Sequence, residues 1–76
     1  MAKAYLKINT TAGKEKAIRD SLKAIPAVKS ADLTAGEQDI IAVVETEKLE
    51  DLLRLVVEKV RTMDGVEKTV TNLVLE

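Results

Sequence analysis

Hydrophobic and polar positions along this chain fall into six periodic segments separated by short breaks. Ala4-Tyr5-Leu6-Lys7-Ile8-Asn9 alternates with period two, setting Ala4, Leu6 and Ile8 against Tyr5, Lys7 and Asn9, and reads as a half-buried strand. After the break Thr10-Thr11-Ala12-Gly13, residues 14–25 place Ala17, Ile18, Leu22 and Ile25 at helical spacing. Glu15 and Arg19 form an i,i+4 pair of the favourable orientation on that helix. Pro26 cannot continue it and biases Ile25 toward extended backbone. Residues 28–34 predict a second strand, with Lys29, Ala31 and Leu33 on one side and Val28, Ser30, Asp32 and Thr34 on the other. Its polar content suits a sheet edge. The stretch TAGEQDI (34–40) then leads into Ile40-Ile41-Ala42-Val43-Val44, a strand apolar on both faces, which a sheet with one solvated side does not require.

The second half is simpler. Thr46 is the expected N-cap of a helix, with Glu47, Glu50 and Asp51 placing negative charge near its positive end. Leu49, Leu52, Leu53, Val56, Val57, Val60 and Met63 follow at i, i+3, i+4, i+7, i+8, i+11 and i+14, the pattern of one amphipathic helix of about four turns. Asp64-Gly65 ends it, with Gly65 in the left-handed conformation. Residues 66–75 predict the last strand, with Thr69, Thr71, Leu73 and Leu75 on one face and Lys68, Val70, Asn72 and Val74 on the other.

The order β-α-β-β-α-β predicts an α+β fold of ferredoxin-like type. Two split β-α-β units make a four-stranded antiparallel sheet with both helices on one face, the first and third strands being central. One face of residues 40–44 then packs under the helices. The other also wants burial, and no remaining segment covers it. The open face, with Tyr5, Lys7 and the outward set of 40–44, is therefore expected to pack against a second copy, as in dimeric α+β barrels. At roughly 25 cal/mol per Å², a few hundred Å² of apolar area supplies several kcal/mol.

Composition sharpens this. A chain of 76 residues is read as a single domain, 1–76. A domain this small buries only about 60% of its unfolded surface and commonly needs a staple. With no cysteine and no histidine, disulfides and the usual zinc and iron–sulfur schemes are excluded, and self-association remains. The 12 basic and 13 acidic residues are well mixed, for a net charge of −1, so there is no basic face for direct nucleic-acid contact. The apolar runs are too short for a bilayer and the N-terminus lacks a signal stretch, so a cytoplasmic protein is expected. Ser21 and Ser30 stand beside no candidate base, and the chain is read as a non-enzyme with no cofactor. Each familiar use of this topology lacks its residues. Tyr5 is the lone aromatic, against the several that RNA stacking wants, and the first loop has neither the cysteine pair of a metal chaperone nor the arginine of an acylphosphatase.

The turn at 34–40 leaves two readings open. Gly36 either supplies a positive φ for a tight turn, or the segment Ala35-Gly36-Glu37-Gln38-Asp39 exposes backbone groups beside a fixed anion. The second arrangement suits a zwitterion, whose carboxylate takes backbone N–H donors while its ammonium takes Asp39.

Several features in order resemble the effector-binding domain of the Lrp/AsnC family of leucine- and asparagine-responsive transcription regulators. They are the Gly-x-x-Asp spacing of Gly36 and Asp39 before an apolar strand, the long helix ending in Met63-Asp64-Gly65-Val66, and the closing Thr69-Val70-Thr71-Asn72-Leu73-Val74-Leu75. The resemblance covers essentially the whole chain. The first strand begins at once, so the chain looks like a stand-alone version without the helix-turn-helix. It implies homodimers formed through the sheets, assembled into octameric or decameric rings, with amino-acid effectors bound between dimers and full-length regulators as partners. By the same resemblance Gly36 contacts the ligand through its backbone, Asp39 holds the α-amino group, and Ala35, Glu37 and Gln38 border it; Thr69, with Thr71, either reaches it from a neighbouring subunit or is an ordinary β-branched strand residue. Many members carry an aromatic residue immediately before the Asp. Gln38 stands here instead, a polar wall that points to an effector such as glutamine or asparagine. An ACT-like domain, with ligand near Gly13, and an oligomerisation module without ligand are the alternatives.

Overall fold

The computed structural model describes residues 1–75. The alternating segment at the N-terminus forms β1 (Ala2–Thr10), followed by α1 (Glu15–Lys23), β2 (Val28–Leu33), β3 (Ile40–Thr46), α2 (Leu49–Leu55) running into a π-helical turn (Val56–Val60), and β4 (Val66–Leu73). The four strands form one antiparallel sheet in the order β2-β3-β1-β4. This is the ferredoxin-like α+β fold, with β1 and β3 central as the order of elements predicts.

Period two decides the core. Ala4, Leu6 and Ile8 of β1 stand opposite Val44, Ala42 and Ile40 of β3, and all six are fully buried. Ile18 and Leu22 of α1, and Leu52, Val56 and Val60 of the second helix, close over them. Fully burying a Leu or Ile side chain is worth about 1.5–3 kcal/mol, so this layer is the main source of stability.

Five local expectations are corrected. First, β2 carries a bulge: Val28 pairs with Val44 but Ser30 with Val43. Lys29 is the extra residue, and Val28 joins Ala31 on the buried side rather than Ser30 and Asp32. A bulge shifts every later side chain by one face. Second, α1 stops at Lys23, short of Ile25, and the Ile25 N–H bonds the Leu22 carbonyl in a tighter turn before Pro26. Arg19 pairs with Asp20 at 3.1 Å rather than with Glu15, whose carboxylate accepts the Gly13 N–H. Third, Thr46 ends β3 and its hydroxyl donates to the Lys48 carbonyl at 2.6 Å, while Lys48 holds the N-cap position without a side-chain cap. Fourth, the second helix is not uniformly α: the Arg61 N–H donates to the Val56 carbonyl, five residues back, at 2.9 Å. The Thr62 hydroxyl bonds the Glu58 carbonyl at 2.8 Å, a side-chain contact of the kind that distorts helices. Fifth, β4 ends at Leu73, and Leu75 is exposed beyond it.

Gly65 takes a φ of +96°, as expected at a helix end, and an added Cβ would sit 2.9 Å from Lys14 Cβ and Cγ. The left-handed conformation alone costs a side-chain-bearing residue about 1–2 kcal/mol. Gly65→Ala is expected to lower unfolding free energy by about 2 kcal/mol or more, read from denaturant titration.

Candidate ligand-binding site

The β2–β3 connection is held by bonds within the loop and by bonds to β1, which lies beside it only in the folded sheet. The Thr34 N–H donates to the Asp39 carbonyl at 2.9 Å, and the Asp39 N–H donates to the Ile8 carbonyl at 3.0 Å. The Thr34 hydroxyl donates to the Gln38 carbonyl at 2.6 Å. Asn9 reaches over from β1, donating from Nδ2 to the Glu37 carbonyl at 2.7 Å. The Asp39 carboxylate completes the clamp: Oδ2 accepts the Thr10 N–H at 2.8 Å and lies 3.5 Å from the Thr10 hydroxyl.

What these bonds leave free defines the site. Among the described residues, the N–H groups of Ala35, Gly36, Glu37 and Gln38 donate to no protein acceptor, and Asp39 Oδ1 accepts from no protein donor. Ala35, Gly36 and Glu37 are exposed, Gln38 and Asp39 half-buried. The loop therefore presents backbone donors beside a rigidly held anion. The positive-φ reading of Gly36 fails, because positive φ occurs only at Gly13 and Gly65 among the described residues. A Cβ at Gly36 would meet no atom within 4 Å. Neither backbone conformation nor crowding inside this chain asks for glycine there.

Thr69 and Thr71 lie elsewhere. Thr69 stands opposite Ile8 and Thr71 opposite Leu6, and Ile8 in turn faces Ile40. Two strand steps, roughly 10 Å at about 4.8 Å each, separate Thr69 from Ile40, where the loop joins β3. A single chain does not bring the threonines to the loop. They border instead a groove of about 570 Å³ between the second helix and β4. Leu53, Val56, Val57 and Arg61 form its helix wall, and Val66, Glu67, Lys68, Thr69 and Thr71 its strand side. The π-helical turn lies along this wall, and such turns are frequent at functional sites. The sequence places Leu53 and Val57 only in the apolar stripe of the second helix and marks Arg61 with no role. The available signal was the width of the apolar stripe, which exceeds what the core absorbs: Leu53 and Val57 remain 44% and 54% exposed.

The sheet's outer face is the other unpaired surface. Tyr5 faces Val43 across β1–β3, and Lys7 faces both Ile41 and Val70. Tyr5 and Val70 are exposed and Ile41 and Val43 half-buried, giving an apolar band across three strands. Lys3 Nζ lies 5.7 Å from the Tyr5 ring centroid, so one of the band's cations rests on its aromatic. No helix among the described residues is long and apolar enough to cross a membrane.

Comparison with known proteins fits this geometry. The family model of the Lrp/AsnC ligand binding domain matches residues 3–76. The crystal structure of FFRP-DM1 superposes with a TM-score of 0.96 at 39% identity, covering 99% of this chain and 100% of that one. A hypothetical protein of Pyrococcus horikoshii superposes with a TM-score of 0.95 at 38% identity, covering 100% of this chain and 92% of that one. An uncharacterized HTH-type transcriptional regulator of Pyrococcus furiosus is 35% identical over 57 residues, which are 75% of this chain and 38% of that protein. The match thus spans well under half of the regulator's length.

Proposed function

The chain belongs to the Lrp/AsnC ligand-binding domain family, and on that footing we propose that it is a non-enzymatic regulatory module that binds a free amino acid at subunit boundaries. The observation that carries this reading is the half-buried Asp39 carboxylate, which commits Oδ2 to Thr10 while Oδ1 has no protein donor among the described residues, in a loop whose N–H groups at 35–38 are likewise unpaired. A zwitterion matches that set: its carboxylate accepts from the backbone of residues 35–38, and its ammonium donates to Asp39. Thr69 and Thr71 of a neighbouring copy complete the site. The copies pair through the Tyr5/Val43 band and build octameric or decameric rings in the cytoplasm. Transcription is modulated through a full-length regulator rather than by direct contact with nucleic acid. The mechanism is linkage. A ligand shared between dimers stabilises the assembled state by its differential affinity for it.

An ACT-like reading puts the ligand near Gly13. It is disfavoured because the Gly13 N–H already donates to the carboxylate of Glu15. A ligand-free oligomerisation module is separated by experiment. Solution mass and thermal stability are measured with each of the twenty amino acids at millimolar concentration. Under the proposal at least one raises both assembly and melting temperature, and a flat response across the panel defeats it.

Gly36→Ala gives a second, independent reading. With no positive φ and no neighbour within 4 Å, folding stability should be unchanged or rise by about 0.4–1 kcal/mol, as for glycine replaced where alanine fits. Effector affinity should nevertheless fall at least about tenfold, because the methyl group stands where the ligand meets the backbone. Calorimetric titration beside denaturant titration checks both halves.

A further inference from the structure

We infer that Lys7 and Asp32 decide which chain the open sheet face pairs with, the Lys7 of each copy being met by the Asp32 of a second copy. This inference rests on pairing through that face and names the residues that select the partner. The strand register carries it. Asp32 stands opposite Ile41, Ile41 opposite Lys7, and Lys7 opposite Val70. One row across β2, β3, β1 and β4 therefore reads acid, apolar, base, apolar. Lys7 is half-buried on a central strand, with an aliphatic residue on either side. Neither Lys7 nor Asp32 enters an ion pair among the described residues. Within one chain they are two strand steps apart, roughly 10 Å, with Ile41 between them.

A second sheet laid on this face strips water from Lys7, and a cation taken out of water is costly unless an anion meets it. The acidic residues on the face are Asp32 and Glu45. Glu45 already stands across from Lys3, whereas Asp32 is exposed and has only the aliphatic Ile41 as its cross-strand neighbour. A two-fold axis along the strands lays the row on its own reverse. Lys7 then lies over the partner's Ile41, one strand step of about 4.8 Å from the partner's Asp32. A lysine's flexible four-carbon stem covers that span. By symmetry the pair forms twice. Such a pair adds less to affinity than to choice of partner, because a chain without the matching charge leaves an ion covered and unpaired. The apolar band of Tyr5, Ile41, Val43 and Val70 supplies the attraction, and the row of charges rejects the wrong sheet.

Lys7→Asp and Asp32→Lys are made singly, mixed in equal amounts, and combined in one chain. Solution mass is measured beside the wild type by analytical ultracentrifugation at micromolar concentration. Each single variant is expected to self-associate about a hundredfold more weakly or worse, since like charges then meet across the interface. The equimolar mixture should regain the wild-type mass, with native mass spectrometry finding the two chains paired one to one. The chain carrying both substitutions should assemble as the wild type does. Single variants that assemble like the wild type overturn the inference, as does a loss of assembly that neither the mixture nor the doubly substituted chain repairs. In either case a monomeric Val43→Asp beside an assembled wild type leaves the sheet pairing standing. A wild type that is itself monomeric removes both the inference and the pairing it rests on.

Discussion

Val43→Asp is expected to turn an assembled protein into a monomer. Val43 lies at the middle of the open sheet face, opposite Tyr5 on β1 and beside Ser30 on β2. In an isolated chain it is half-buried at a water-facing surface, so a carboxylate there costs little. In a two-fold pairing through this face the same substitution appears twice, on facing surfaces. Like charges placed together across an interface cost several kcal/mol, and each 1.4 kcal/mol is about tenfold in the dissociation constant. Weakening of about a hundredfold or more follows. Analytical ultracentrifugation at micromolar concentration should give the monomer mass for Val43→Asp and a multiple of it for the wild type. The melting temperature should fall with it, because stability of roughly 0.05–0.15 kcal/mol per residue leaves so small a chain a narrow margin. A variant that sediments like the wild type would place the interface elsewhere, and the apolar band across β1, β3 and β4 would then need another occupant.

The same strand illustrates what could be read from sequence. Residues 40–44 are apolar at every position, and that one fact implied both a central strand and an unpaired face. β1 was legible because its two sets differ so sharply: Ala4, Leu6 and Ile8 are fully buried, whereas Tyr5 is 41% exposed. The second helix was legible from its stripe, but not its π-helical turn. That turn rests on backbone bonds five residues apart, such as the one from Arg61 to Val56, and the apolar spacing accommodates it without a break. The β2 bulge was hidden for a similar reason. Lys29 is an ordinary strand residue, and nothing local marks it as the extra one. Thr46 has the chemistry of a cap, but the β1–β3 ladder extends to the pair Ala2–Thr46 and claims it first.

The candidate site divides along the same line. Gly36 and Asp39 could be singled out only through the family resemblance, because a glycine and a carboxylate before a strand are also ordinary turn residues. What Asp39 does with its two oxygens could not, since its partner Thr10 is 29 positions away and meets it only once the sheet forms. The same holds for Arg61, Leu53 and Val57, which border a groove with strand residues that sequence assigns to another element. Threonines on a strand have two ordinary explanations. It was their position in this groove, away from the loop, that requires a second copy if they are to share a ligand with Asp39.

Asp39→Asn separates the two tasks of that carboxylate. An amide oxygen in place of Oδ2 still accepts the Thr10 N–H, now 2.8 Å from the carboxylate, so the loop keeps its clamp to β1. Stability should then fall only by the difference between a charged and a neutral hydrogen bond, about 1 kcal/mol. Asp39→Ala removes the acceptor altogether and leaves a part-buried N–H without a partner, so a larger loss, about 1–3 kcal/mol, is expected. For the effector the order is different. Both variants lack the negative charge that faces the ammonium, and removing one member of a desolvated, hydrogen-bonded charge pair costs about 2–5 kcal/mol. At about 1.4 kcal/mol per decade, affinity should fall by roughly thirtyfold to several thousandfold in either. Denaturant titration and calorimetry on both variants therefore give a graded loss of stability and a shared, much larger loss of binding. If Asp39→Asn bound the effector as well as the wild type, Asp39 would be a loop clamp alone, and the ammonium would have to be held by carbonyl oxygens of the loop.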